Sequence, residues 1–533
     1  MTLSPEEDPG APASVSGALG DTSASRISNL SNARSTTTSR FSNSLRDPIP
    51  LEQFERETEA LMAGTAVHDD TALRYLPAAE VVVAAQEIDE GTITQDGVAQ
   101  IFARQYGACL RYDHDAGKWF QWTGARWERD HKDLAFHFVR VLARTVSVGA
   151  QDAALREVRK RSFAGGVESF AQDDPVFSIR SEAWDRDPWL LGTPGGTVNL
   201  RTGEVRRADP GDGITKLAAV TPAATADCPL WLHFLDEVTQ GDAGYIRFLR
   251  QWAGYCLTGD TREQALCFAY GGGGNSKGVF IRVLAGILRD YAVNAAMETF
   301  TAAKHDRHPT EIAALRGARL VTASETEQGR QWAEARIKQL TGGDPMRARF
   351  MHKDEFEFVP VLKLLIIGNN KPGLSSVDDA ARRRFNLLPF LFKPAQADTQ
   401  LEEKLRDEWP AILRWMLDGC LDWQENGLVR PEIVKVATEE YFETQDVAGQ
   451  WLEECCIVDR SNAYRKATTQ ELFASYAEFG KLHNEPVGTL TSFGERMDKL
   501  GFKKNKHVPN GRGGRSRGYE GIELRRRPGE IGA

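Results

Sequence analysis

The run Tyr270-Gly271-Gly272-Gly273-Gly274-Asn275-Ser276-Lys277-Gly278 constrains this chain more than any other stretch. Ala265 to Tyr270 before it is a short apolar run that reads as a buried strand. Val279, Phe280, Val283, Leu284, Ile287 and Leu288 after it carry the spacing of a helix with one apolar face. Strand, glycine loop, lysine and helix in that order make a phosphate cradle. Glycines let backbone N–H groups converge on the anion, the helix N-terminus adds positive potential, and the lysine reaches the terminal phosphates. Gly271 to Val279 are therefore the candidate nucleotide-binding residues. Two positions depart from the common pattern: Ser276 stands where glycine precedes the lysine, and Gly278 stands where a Ser or Thr hydroxyl touches Mg²⁺. Either Ser276 supplies the hydroxyl from one residue earlier or water fills the place, and weak nucleotide binding is one outcome.

A chain of 533 residues exceeds one core, so several domains are expected. A net charge of −9 confines any nucleic-acid surface to local patches. Seven scattered cysteines, with no C-x-x-C pair, argue against a zinc module and fit a reducing cytosol. No run approaches 18 apolar residues, and no apolar signal core opens the chain, so a cytoplasmic protein without a membrane partner is expected. Residues 1–46 hold 16 Ser or Thr and one aromatic, too little apolar surface to fold, and should be disordered. The expected order continues with a helical lead at 47–105, a small α/β domain at 106–235, and an α/β core at 236–400. A helical linker or bundle at 401–448 and a DNA-binding unit at 449–527 complete it. Lys118 to Trp127 and Trp189 to Leu200 read as strand–turn–strand segments whose tryptophans fill a core or, on a minority reading, stack bases.

Downstream of the loop, Arg319 to Glu327 is a β-rich run ending in carboxylates; alone it could be any strand ending at the surface, but beside a phosphate loop it suits Glu325 and Glu327 to Mg²⁺ and water activation. Lys338 to Asp344, Arg349, and the basic tip His352-Lys353 suggest a loop and hairpin that project cations. Leu362 to Ile367 is a third apolar strand, and Asn369 after it is placed to sense a γ-phosphate. Arg382-Arg383-Arg384 sits on one turn. In isolation that triplet is a solvated helix face; beside a neighbour's nucleotide one arginine would stabilise transition-state charge.

In this order these elements resemble the superfamily 3 helicase domain of phage and plasmid primase–helicases, related to poxvirus-type NTPases. The matches are His308-Pro309-Thr310-Glu311 leading to Val321, the block Lys338…Thr341-Gly342-Gly343-Asp344…Arg349, Asn369-x-Lys371-Pro372, and Asp379-x-x-Arg382-Arg383-Arg384-Phe385…Pro389-Phe390. The likeness covers about 106–525. It implies a three-layer P-loop ATPase core of AAA+-like fold, with a small α/β domain before it and a winged-helix domain after it. It implies a homohexamer in which Arg383 or Arg384 completes the adjacent site, single-stranded DNA in the channel gripped by His352 and Lys353, and catalysis by Lys277, Glu325 and Asn369. The expected activity is ATP-dependent unwinding of phage, prophage or plasmid DNA; an ATP-switched origin-binding or loading factor is the alternative. About 105 residues ahead of the likeness leave no room for a primase, so a separate primase and other replication proteins are expected partners.

At the C-terminal end, 503–527 holds nine Lys or Arg against Glu520 and Glu523. Two helix-like runs, Thr468 to His483 and Thr489 to Leu500, precede a hairpin-like segment with a basic tip. That is the helix–helix–wing plan, with Lys503, Lys504, Arg512, Arg515 and Arg517 on phosphates. A solubilising tail is the plainer reading, but the alternation of Tyr519, Ile522 and Leu524 belongs to a strand.

Overall fold

A computed structural model describes residues 93–302, 310–325, 330–351, 354–374, 378–394, 398–482, 488–510 and 513–525. The serine-rich tail at 1–46 and residues 47–92 of the helical lead lie outside them.

Helix α1 (Gln95–Tyr106) starts where the Thr94 hydroxyl accepts from Gly97 N at 3.0 Å. It buries Val98, Ile101, Phe102 and Tyr106, one face at helical spacing. Strands β1 (Leu110–Asp113), β2 (Lys118–Trp122) and β3 (Trp127–Arg129) form an antiparallel meander. Helices α2 (Leu134–Val146), α3 (Asp152–Val158) and α4 (Arg161–Gln172) cover it, and β4 (Ser178–Ile179) pairs parallel to β1. Trp119 and Phe177 meet at 5.3 Å in a core shared with α1, α2 and α4. Trp127 is 1% exposed, so the packing reading of these tryptophans holds over base stacking. Helix α1, within the expected 47–105 lead, thus packs its apolar stripe into the core of the small domain.

The far boundary moves too. Strands β5 (Leu190–Thr193), β6 (Gly196–Asn199) and β7 (Glu204–Arg206) form a second meander. Trp189, Leu191, Val198 and Leu200 pack into the larger core that follows, with helices α5 (Pro229–Thr239) and α6 (Ala243–Tyr255).

That larger core is built on a parallel sheet. In chain order come β8 (Leu266–Tyr270), α7 (Lys277–Leu288), β9 (Ala292–Asn294), α8 (Thr310–Ala313), β10 (Leu320–Glu325) and α9 (Glu334–Gly342). The hairpin β11 (Met346–Arg349) and β12 (Glu355–Phe358) precedes β13 (Lys363–Gly368), α10 (Asp379–Arg384) and β14 (Phe385–Pro389). The sheet order is β14-β8-β13-β10-β9, with every pairing parallel. Strands buried on both faces read as unbroken apolar runs, which is how β8 and β13 read. Alternate residues serve opposite faces: Cys267, Ala269, Leu365 and Leu388 pack with α6 and α7, while Leu266, Phe268, Leu364, Ile366 and Leu387 pack under α9 and α13.

Helices α11 (Leu401–Arg406), α12 (Trp409–Asn426) and α13 (Glu432–Gln445) follow. Of the linker or bundle expected here, they have the packing of a bundle. Trp415, Leu417 and Trp423 of α12 lie in one main core, Ala437 and Tyr441 of α13 in the other. Helices α12 and α6 touch backbone to backbone: a Cβ on Gly254 would stand 2.1 Å from Cys420 N, and one on Gly419 2.1 Å from Arg250 O.

The last unit contains α14 (Val447–Cys455), β15 (Cys456–Val458), β16 (Lys466–Thr468), α15 (Thr469–Leu482), α16 (Leu490–Lys499), β17 (Lys503–Pro509), β18 (Arg515–Glu520) and β19 (Ile522–Leu524). Trp451, Tyr476, Phe493, Met497 and Tyr519 fill its core. Thr489 and Ser492 form a reciprocal capping box that starts α16. Among the described residues no helix is long and apolar enough to cross a membrane.

Candidate functional site

The strand registers line up four chain ends. Pro389 stands opposite Tyr270, Tyr270 opposite Gly368, and Gly368 opposite Glu325. With about 4.8 Å between strands, the backbone of Glu325 lies roughly 10 Å from that of Tyr270. The glycine loop, Asn369 and the acidic end of β10 are thus neighbours along the C-terminal edge of one sheet, where open α/β sheets bind ligands. The Glu325 side chain and all of Glu327 lie outside what the structure describes.

The loop is tight at its first glycine and open at Gly272 and Gly273. A Cβ on Gly271 would fall 2.0 Å from both the Asn275 amide and the Phe390 carbonyl, so only glycine fits. Ser276 has φ +62, the left-handed conformation that costs a residue with a side chain about 1–2 kcal/mol. Its glycine-replacing position therefore keeps the glycine-like turn. Lys277, 7% exposed, points back into the loop: Nζ donates to Gly271 O at 2.7 Å, Asn275 Oδ1 at 2.8 Å and Asn369 Oδ1 at 3.4 Å. Burial lowers its pKa. Asn275 in turn donates to the Phe390 carbonyl.

Three cations stand near this site; Lys371 belongs to the Asn369-x-Lys371-Pro372 motif, while Lys393 and Arg282 carry no signal in the sequence that separates them from surface lysines and arginines. Lys393, just past β14, lies against the loop, with Cε 3.3 Å from where a Gly274 Cβ would be. The Lys371 ammonium sits 3.8 Å from the centroid of the Tyr270 ring, and burial lowers its pKa. Arg282 stands over Gly278 and pairs with Glu402 at 2.6 Å.

The arginine triplet divides. Arg384 is buried and held by Gln264 Oε1 at 3.0 Å and the Ala380 carbonyl at 2.8 Å. Arg382 covers the Phe442 ring at 5.1 Å. Arg383 is exposed, with one 3.5 Å contact to Gln264. All three precede β14, so they lie at the opposite end of the sheet from their own glycine loop, about 15 Å along a five-residue strand.

Of the residues expected to touch DNA, Lys338 is instead held by Asp378 at 2.6 Å, where Asp378 caps α10. Arg349 is exposed and faces Glu355 across the β11–β12 ribbon. Toward the ribbon's turn, Phe350 stacks on Phe356 at 5.2 Å; His352 and Lys353 lie outside the described residues. In the last unit Lys503, Arg515 and Arg517 are exposed, Lys504 pairs with Asp498, and Arg512 is outside the described residues. The open face of α16 carries Glu495, Asp498 and Lys499, so the cationic surface belongs to the hairpin and not to that helix.

Residues 99–240 match the "D5 N terminal like" family, and 269–384 match a family of unknown function (DUF5906). A protein named "Putative helicase L207/L206" of Acanthamoeba polyphaga mimivirus is 23% identical over 61% of this chain and 36% of its own length. "Putative helicase 121R" of Invertebrate iridescent virus 3 is 26% identical over 61% of this chain and 37% of its own length. The chain thus spans little more than a third of the length of these curated relatives. The apo structure of the NrS-1 C-terminal region aligns at 12% identity and a TM-score of 0.44, over 79% of this chain and 97% of that one.

Proposed function

We propose that this chain, a relative of the phage and viral primase–helicases, is an ATP-hydrolysing DNA helicase that works as a ring. The observation that carries the reading is the Lys277–Asn275–Asn369 cluster at the head of the parallel sheet, in register with the end of β10. Loop amides and the start of α7 hold the phosphates. Lys277 exchanges its contacts with Gly271 and Asn275 for the β- and γ-phosphates. Asn369, released by that movement, meets the γ-phosphate. Glu325, one strand over, polarises the attacking water.

The residues do not reproduce the usual metal-binding pair. The hydroxyl position after the lysine is Gly278, and a guanidinium fills its side-chain space; Ser276, Glu325 and Glu327 are the donors that the sequence offers. Mg²⁺ enters no step here.

Arg383 is too far from its own loop to act there, and its exposure suits it to a neighbour's site in a homohexamer. Sequence-independent grip on single-stranded DNA falls to the β11–β12 ribbon, with Arg349, His352 and Lys353, through salt-sensitive phosphate contacts. The last unit, read as a winged helix, engages duplex DNA through its hairpin. Gly278 favours one second reading, an ATP-switched loading factor that binds nucleotide and turns it over poorly. Strand displacement on a forked duplex separates them: unwinding with ATP, lost with a non-hydrolysable analogue and in Lys277→Ala, supports the motor. Duplex binding that is equal with either nucleotide, and no displacement, supports the switch.

A further inference from the structure

We infer that Arg282 takes the place of the hydroxyl that normally follows a phosphate-loop lysine, so this site holds nucleotide phosphates with protein cations and binds them without Mg²⁺. The inference rests on the reading of 271–279 as a nucleotide site. Gly278 and Arg282 are one helical turn apart on α7, so their side chains share a face. A Cβ built on Gly278 would lie 2.6 Å from Arg282 Nη1 and 3.3 Å from its Cζ. The absence of a side chain at 278 is thus what lets the guanidinium lie across the first turn of the helix. A serine or threonine there would displace it.

The guanidinium is not free to wander. Its Nε donates to Glu402 Oε2 at 2.6 Å, from α11. That leaves the two terminal nitrogens, the fork that suits phosphate oxygens. On the other flank of the loop Lys393 rests against Gly274, with Cε at 3.3 Å and Nζ at 4.0 Å from the would-be Cβ. Both cations are exposed and both depend on the stretch after β14: Phe390 anchors Asn275, Lys393 covers Gly274, and Glu402 aims Arg282. Arg282, paired with Glu402, and Lys393 thus set two cationic groups on either side of the loop. An ordinary surface pair between Arg282 and Glu402 would add little and would not require glycine at 278.

The test is fluorescent-ATP affinity of the full chain in excess EDTA and in excess Mg²⁺. Wild type should bind within about threefold in the two buffers. Arg282→Ala should lose roughly tenfold to a hundredfold in EDTA, the worth of one charge-assisted phosphate contact, and should become Mg²⁺-dependent. Arg282→Lys should recover part of the loss. Gly278→Ser, which pushes the guanidinium aside, should show the same new Mg²⁺ dependence, and thermal melts report whether either variant has lost its fold. Wild-type affinity that collapses tenfold in EDTA, or Arg282→Ala and Gly278→Ser affinities there equal to wild type, overturns the inference and leaves the nucleotide site standing. No nucleotide binding by wild type in either buffer overturns both.

Discussion

Lys363 opens β13, the strand whose other end leads to Asn369, and its ammonium is inside the protein. It is 1% exposed. Nζ donates to the carbonyls of Thr258, Val361 at 3.2 Å and Asp260 at 3.3 Å, and lies 4.8 Å from the Tyr255 ring centroid. Burial brings its pKa down from 10.5 to about 7. In the unfolded chain the group returns to its usual value, so between about pH 7 and 10.5 the unfolded state holds a proton that the folded state lacks. Stability from this group therefore rises with pH across that window and is flat below about 7, where both states are charged. Each unit is worth about 1.4 kcal/mol, or about 3 kcal/mol from pH 7 to pH 9. Lys363→Met keeps the stem and removes the titration. At about 2–4 °C per kcal/mol for a unit of this size, the melting temperature of wild type minus that of the variant should climb by roughly 6–12 °C from pH 7 to pH 9. Parallel curves for the two proteins over that range would refute the argument: the three carbonyls would then be holding a fully charged ammonium.

Arg383→Ala should leave nucleotide binding and melting unchanged while cutting turnover of the assembled protein about a thousandfold or more, as loss of a trans arginine does; Arg384→Ala should instead lower the melting temperature, since it empties a buried site against Gln264. Gly419→Ala drives a methyl into the Arg250 carbonyl and should destabilise by about 1–3 kcal/mol or more, read as a fall in thermal midpoint. Arg515→Ala with Arg517→Ala should weaken duplex binding for all sequences alike and reduce the slope of log K against log salt by about 2; an unchanged slope would place the contact elsewhere.

What could be read from the sequence was local. The loop, the strand before it and the helix after it are spelled within about 20 residues, and the β11–β12 ribbon and the capped α16 likewise announce themselves by turn and cap residues. Long-range placement was not legible. Periodicity says that Trp415 and Trp423 share a buried face, but not that the face lies against α6. Three consecutive arginines look alike until Gln264 and Phe442, brought in from elsewhere in the chain, bury one and cover another. Lys393 and Lys371 reach the loop only because parallel strands set their ends side by side, and Arg282 matters only because Gly278 has no side chain.

The loop after Asn369 is fastened at its far end. Tyr441 of α13 donates to the Pro372 carbonyl and accepts from the Trp332 indole at 3.0 Å, and Gln445 accepts from Leu374 N at 3.1 Å. This decides where the chain can be cut. A fragment limited to 269–384 would lose β14, which pairs with the loop-bearing strand β8, and would also lose the two side chains that fix the segment following Asn369. Ending after β14 restores the strand but leaves the Pro372 carbonyl and the Leu374 amide without those partners. The shortest piece able to keep Asn369 in position runs through Gln445, and Asp446, between α13 and α14, is the natural place to sever the last unit from it.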